Sequence, residues 1–147
     1  MQEVITPVNQ TKELGIIMQD DTTFSLHIDK VSRKMKQKCG WICRTFYSRN
    51  PKFMRHMWNT LAQPHGDYCS QLWAPSCGSD LEKLNGLLHI FTARIPSLRN
   101  LNYWERISQL KMNSQQRRIE RYRIKYTWKI LKNKVPNCGI NENYRKF

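Results

Sequence analysis

Acidic residues are scarce in this chain: 11 Asp and Glu stand against 25 Lys and Arg, a formal net charge of +14 over 147 residues. The shortage is sharpest in two places. Between Lys30 and Arg55 there are nine Lys and Arg and no acid, and from Asn113 to Lys134 there are eight against Glu120 alone. These segments carry +9 and +7, so against the total of +14 everything else nets −2. A basic excess gathered in two segments favours a polyanionic partner, with RNA or DNA ahead of a membrane surface.

Long apolar runs are missing as well. None approaches the roughly 18 residues of a membrane span. Met1-Gln2-Glu3-Val4 does not begin like a signal peptide. An intracellular protein, nuclear or cytoplasmic and without membrane contact, is expected. No Cys-x-x-Cys pair occurs among Cys39, Cys43, Cys69, Cys77 and Cys138, which argues against a zinc knuckle or a redox site and for buried free thiols. His65 and Cys69 would share one helical face, with Cys77 nearby. There is no glycine-rich phosphate loop, no nucleophile in a glycine elbow and no internal repeat. What the chain does have is 39% hydrophobic residues, with five Trp, six Tyr and five Phe, enough to build a core and to argue against wholesale disorder. Its length suits one domain burying roughly two thirds of its unfolded surface.

The apolar spacing predicts a mainly α fold. Residues 1–11 read as a connector, Leu14 to Met18 as a short β-prone stretch, and Gln19-Asp20-Asp21-Thr22 as a turn. A helix that Asp29 can start carries Ile28, Val31, Met35, Cys39, Ile42 and Phe46 on one arc of about 80°, with Lys30, Arg33, Lys34, Arg44 and Trp41 opposite. Trp41 reads more readily as a knob for another helix than as a stacking platform. Asn50-Pro51 caps a second helix built on Met54, Met57, Trp58 and Leu61, which Pro64 is expected to end. Tyr68, Leu72 and Trp73 suggest a further short helix, and Ala74 to Ser79 a hinge. Capping boxes at Ser79-x-x-Glu82 and Asn102-x-x-Glu105 open two more helices, the first carrying Leu81, Leu84, Leu88, Phe91 and Ile95.

The basic helix opens at Asn113 or Ser114, with Pro136 and Gly139 marking its end. On it Arg117, Arg118, Arg121, Lys125, Lys129 and Lys132 fall within about 120° of arc. Tyr122 and Trp128 border that arc. Ile119, Tyr126 and Ile130 make one apolar stripe, Ile124 and Leu131 another, so packing on two sides is expected. Cations beside aromatics suit nucleic-acid backbones; a solvated face whose stems snorkel over core aromatics is the alternative.

Asp20 and Asp21 invite comparison with a polymerase metal turn, in which paired carboxylates hold Mg²⁺. A two-metal site needs a further carboxylate from a separate strand, and only Glu3 and Glu13 lie upstream of Met18. A plain turn is the better reading.

The order and spacing of several short motifs go further. These are Lys12-x-Leu14-Gly15-Ile16, Phe24-Ser25-x-His27-Ile28, and Gly40-Trp41-Ile42-x-Arg44-Thr45-Phe46. Then come Pro64-His65-x-Asp67-Tyr68-Cys69-Ser70-Gln71-Leu72-Trp73, Arg94-Ile95-Pro96 and Leu101-x-Tyr103-Trp104-Glu105-Arg106. The last is Arg117-Arg118-x-x-Arg121-Tyr122-x-x-x-Tyr126-x-Trp128-Lys129-Ile130-Leu131. From Lys12 to about Pro136 the chain resembles the region downstream of the catalytic aspartates in reverse transcriptases of non-LTR retrotransposons, the Jockey-like type. The resemblance implies a primer-grip hairpin at Leu14, Gly15 and Ile16, at the palm edge within residues 1–27. It implies thumb-like helices and the helical region after them over 28–147, with the hinge near 74–79. The catalytic turn would lie before residue 1, so the resemblance implies no catalytic residue and no cofactor here, Mg²⁺ belonging to the parent polymerase. Three places depart from the family's pattern: Gln63 stands where an Arg commonly precedes Pro-His, Gly66 where an apolar residue usually follows, and Leu87-Leu88-His89-Ile90 where a basic stretch is frequent.

The expected function is therefore that of a non-catalytic fragment of an RNA-directed DNA polymerase that binds RNA, DNA or their hybrid. The binding residues would be Lys30, Arg33, Lys34 and Arg44 with Arg117, Arg118, Arg121, Lys125, Lys129 and Lys132. The missing palm and fingers are a further candidate partner, completing an enzyme in trans. The alternatives are a helical interaction module for an acidic protein, and a decayed relic.

Overall fold

The computed structural model describes residues 8–132 and 134–135. The fold is mainly α, with a short antiparallel hairpin at its start. Strand β1 is Gln10–Glu13 and β2 is Ile16–Gln19, with Glu13 opposite Ile16 and Gln10 opposite Gln19. The strand at Gln10–Glu13 takes up part of what the sequence presents as connector, because all four of its residues are exposed and carry no apolar alternation. The two-residue loop Leu14-Gly15 has positive φ at both positions, 47° and 87°, the requirement of a type I′ turn matched to the strand twist. Gly15 takes this conformation freely. Leu14 is 90% exposed there, and its Cβ makes the same backbone unfavourable by about 1–2 kcal/mol.

Helix α1 (Ser25–Thr45) starts four residues before Asp29. Asp29 instead lies on its exposed side and pairs with Lys83 at 2.8 Å. Ile28, Val31, Met35 and Ile42 are buried, as their spacing predicts. Helix α2 (Pro51–Met57) begins at the Asn50 cap, whose side-chain oxygen accepts from the Lys52 N–H at 2.9 Å.

Pro64 does not end that helix. The chain widens into a π turn over Trp58–Ala62, with the Gln63 N–H donating to the Trp58 carbonyl five residues back, and continues as α3 (Gln63–Asp67). A proline inside an α-helix lacks the donor for its i−4 carbonyl and crowds that carbonyl; the wider turn relieves both. The helix stops only at Asp67. Residues 68–73 then form turns rather than a helix, Cys69 having φ 51°. His65 and Cys69 consequently share no helical face.

Helix α4 (Gly78–Ala93) carries Leu84, Leu88 and Phe91 into the core, with Ile95 following it. The Ser79-x-x-Glu82 box does not form, for no side chain caps this helix and Ser79 Oγ lies 3.2 Å from Cys77 Sγ. Asp80 turns inward instead, accepting from Ser25 Oγ at 2.9 Å and Lys83 Nζ at 2.8 Å, which ties α4 to the start of α1. After a 3-10 turn at Pro96–Leu98, α5 (Tyr103–Gln109) has the predicted capping box: Asn102 accepts from the Glu105 N–H and Glu105 from the Asn102 N–H. Helix α6 (Gln115–Leu131) is capped by Ser114. Its expected stop at Pro136 and Gly139 lies outside the described residues, as does Cys138.

α1 packs on α4, α3 and the π turn, while α4 also packs on α5 and α6. Trp58 is fully buried against Phe91, their ring centroids 5.0 Å apart. Among the described residues no helix is long and apolar enough to cross a membrane.

Candidate nucleic-acid interface

A hairpin this short needs something to lean on. Ile16 is buried, the Ile17 N–H donates to His27 Nδ1 at 3.3 Å, and the Leu26 N–H donates to Gln19 Oε1 at 3.1 Å. At the loop, Tyr68 Oη donates to the Leu14 carbonyl at 3.0 Å and Lys30 Nζ reaches the Gly15 carbonyl at 3.4 Å. Of the three primer-grip-like positions, Ile16 is thus the anchor, while Leu14 and Gly15 are presented at the tip.

Lys30 brings α1 to that tip. Its pKa is lowered, first by desolvation and then by the neighbouring charges of Lys12 and Lys34. Lys34 and Lys38 also act on His65 of α3, whose pKa is lowered by burial first and by these two lysines next. Lys30, Lys34 and Lys38, at i, i+4 and i+8, form a positive stripe along α1 that reaches the hairpin through Lys30, with Lys12 of β1 near its end. Lys38 is legible in the sequence as the third member of an i, i+4, i+8 series. Lys12 is not, because only the folding back of the hairpin brings it there. Arg33 is exposed on the same helix face. Arg44 stands about 15 Å farther along the axis than Lys34. Its guanidinium lies back over Gly40, where a Cβ would be 3.6 Å away. Trp41 stays 44% exposed, edge-on to Phe46 with ring centroids 5.6 Å apart, and among the described residues it is not buried as a knob in another helix.

His27 gives the docked hairpin a pH dependence. It is buried, its Nδ1 accepts a backbone N–H, and its Nε2 has no partner among the described residues. Desolvation, then Lys30 and Lys34, hold its pKa below the ordinary 6.5. An unfolded His27 takes up a proton near 6.5 and the folded one only at lower pH, so stability is full above 6.5 and falls as the pH drops below it. His65, also lowered, acts in the same direction. The thermal midpoint is expected to be flat from about pH 8 to 7 and to fall toward pH 5. In His27→Gln the fall should be clearly smaller, a comparison that thermal melts at the two pH values make directly.

The six basic positions of α6 separate into two groups. Arg117, Arg121, Lys125, Lys129 and Lys132 are exposed. Arg118 turns instead to Asp67: its Nη2 lies 2.6 Å from Oδ2 and its Nε 3.2 Å from Oδ1, and Tyr122 Oη donates to the same carboxylate at 3.3 Å. Burial works against the Arg118 charge, and the Asp67 contacts with Tyr122 more than offset it, so its pKa is raised. Arg118 holds α6 in place, leaving five cations facing solvent on that arc.

Behind this ion pair lies a buried amide cluster that sequence periodicity misses. Gln63 and Gln115 exchange two hydrogen bonds, at 2.8 and 3.1 Å. Gln63 Oε1 also accepts from Trp58 Nε1 at 2.7 Å, and its Nε2 donates to Asp67 Oδ1 at 2.7 Å. Gly66 permits the approach, since a Cβ there would sit 3.0 Å from Met35 Sδ and 3.6 Å from Gln115 Oε1. Two departures from the family's pattern, Gln63 and Gly66, thus lie at the junction of α1, α3 and α6. Leu87 to Ile90, the third, is split: Leu88 is buried, while His89 stacks on Tyr103 with centroids 5.3 Å apart.

The second half of α6 leaves the body. From Glu120 to Lys132 nearly every residue is exposed, Tyr122 and Ile130 being the most covered. The two-sided packing suggested by its stripes is therefore one-sided: Ile119 is buried, but Ile124 and Leu131 are 70% and 68% exposed.

Asp20 and Asp21 lie in a turn. Asp21 Oδ1 accepts from the Thr23 N–H at 2.9 Å and the Thr23 hydroxyl at 2.7 Å, contacts that lower its pKa. Among the described residues no group of three or more His, Cys, Asp or Glu could hold a metal ion. The chain matches no protein-family model, no curated protein and no solved structure.

Proposed function

We propose that this chain is the non-catalytic, thumb-side part of a retroelement RNA-directed DNA polymerase, and that it binds the backbone of RNA, DNA or their hybrid. What carries the reading is the meeting of the hairpin tip with the lysine stripe: Lys30 contacts the Gly15 carbonyl, and Lys12 and Lys34 lie close enough to lower its pKa. Four like charges held side by side repel one another, and a row of phosphates relieves that repulsion by releasing its own counterions. Arg33 and Arg44 extend the surface along α1. Arg117, Arg121, Lys125, Lys129 and Lys132 supply a second set on α6. Contacts of this kind fix register and orientation without reading sequence. Leu14, apolar and exposed in a strained turn, would face the nucleic acid at the hairpin end.

Replacing Lys30, Arg33 and Lys34 together by Gln tests this. Each lost phosphate contact lowers the salt slope by roughly 0.9, so the slope should flatten by about 2.7, with weaker binding to duplexes of any sequence. Unchanged affinity and slope, with circular dichroism showing an intact fold, would remove α1 from the interface.

A further inference from the structure

Helix α6 has a second face with a chemistry of its own. Ile124, Trp128 and Leu131, spaced i, i+4 and i+7, are 70%, 49% and 68% exposed and form a single apolar stripe. On the helix wheel the stripe lies opposite Gln115 and Ile119, the residues that α6 buries in the body. Arg121, Lys125 and Lys132 run along one side of it and Arg123 along the other. Glu120, the one acid of this helix, sits at the N-terminal end of the stripe and accepts from Gln116 at 3.0 Å.

We propose that this face docks an acidic amphipathic helix of a partner protein. A stripe at this spacing fits the helix-in-groove mode, in which apolar anchors bury in a row and charged flanks set partner choice. Arg121, Lys125 and Lys132 make one flank strongly positive and Arg123 stands on the other, so a partner needs an apolar seam bordered by Glu or Asp. A second copy of this chain would bring cations against cations in either orientation. Nucleic acid fits the stripe less well: it offers Ile124 and Leu131 little continuous aliphatic surface, and one face of the Trp128 ring already carries the Lys134 ammonium at 4.6 Å. The arginines and lysines on one flank belong also to the backbone-binding arc, yet the stripe itself needs no nucleic acid, and the two readings can fail separately.

The probe is a fluorescein-labelled synthetic peptide of about 18 residues, about five helical turns, with leucines at i, i+4 and i+7 and glutamates beside them. A peptide of the same composition in scrambled order is the control. Anisotropy at physiological ionic strength should show the patterned peptide binding at least about tenfold more tightly than the control, about 1.4 kcal/mol. Ile124→Ala/Leu131→Ala should abolish that preference; Ala keeps helix propensity, and both side chains are exposed, so the fold should persist. The same substitutions should leave binding of an RNA–DNA hybrid unchanged. Peptide preference in the absence of hybrid binding would support the docking face and remove the nucleic-acid reading alone. Equal binding of the two peptides would overturn the proposal, as would a preference that survives the double substitution. So would a dimer in sedimentation velocity that the double substitution dissolves, since it would give the stripe to a second copy.

Discussion

Gln63→Ala is expected to destabilise the chain by about 3 kcal/mol, because it strands buried groups on two sides. The Trp58 indole N–H loses its acceptor, and the Gln115 amide loses both a donor and an acceptor. Trp58, Gln63 and Gln115 are all essentially buried, so water cannot readily replace the lost partners. Each stranded group costs roughly 1–3 kcal/mol, a large share of the 5–15 kcal/mol that holds a domain together. Urea titrations should show an earlier midpoint with an unchanged slope. Gln63→Leu/Gln115→Leu should be less damaging than the sum of the two single changes, because it removes both halves of the amide pair and leaves only the Trp58 N–H unpaired. Additive losses would mean that the two amides do not work as a pair.

Asp67→Ala is the second large effect, about 2 kcal/mol. It removes the acceptor of two Arg118 bonds, of Tyr122 Oη and of Gln63 Nε2. A fully buried pair broken in this way would cost about 3–5 kcal/mol; side chains still 20% and 26% exposed here reduce it, since water screens the charge left behind. The damage should be local. Amide exchange should speed up over the first turns of α6, from Gln115 to about Arg123, and stay unchanged in α1. Arg118→Ala should give a similar loss, and the double variant a coupling of about 1–2 kcal/mol. Faster exchange in α1 as well would mean that α6 is not the element this ion pair holds.

Much of the fold was legible where one local rule acts alone. Ile28, Val31, Met35 and Ile42 are buried because three-and-four spacing places them on one face, and Asn50, Asn102 and Ser114 cap because their side chains reach N–H groups that have no other acceptor. Legibility ends where distant residues decide. Pro64 would stop an isolated helix, but a π turn carries the chain past it, with Trp58 and Gln63 both turned inward. Ser79 makes no cap, while Asp80 beside it turns inward to Ser25 across the α1–α4 contact and to Lys83 of its own helix. Gln63 and Gln115 are 52 positions apart, and no periodicity links them. Ile124 and Leu131 have the spacing of a buried stripe, yet no element among the described residues covers them. At the candidate interface the basic helix faces could be read from spacing. The tie of Arg118 to Asp67, and the arrival of Lys12 beside Lys30, could not, since both depend on which helix or strand lies next to which.

The most direct test is a salt titration of the unmodified chain with an RNA–DNA hybrid, a DNA duplex and an RNA duplex. If about six phosphates are neutralised, log K should fall with log[salt] at a slope near −5, with little difference between sequences of one duplex type. Absence of binding at low salt, or a slope near zero, would contradict the nucleic-acid reading of both α1 and α6.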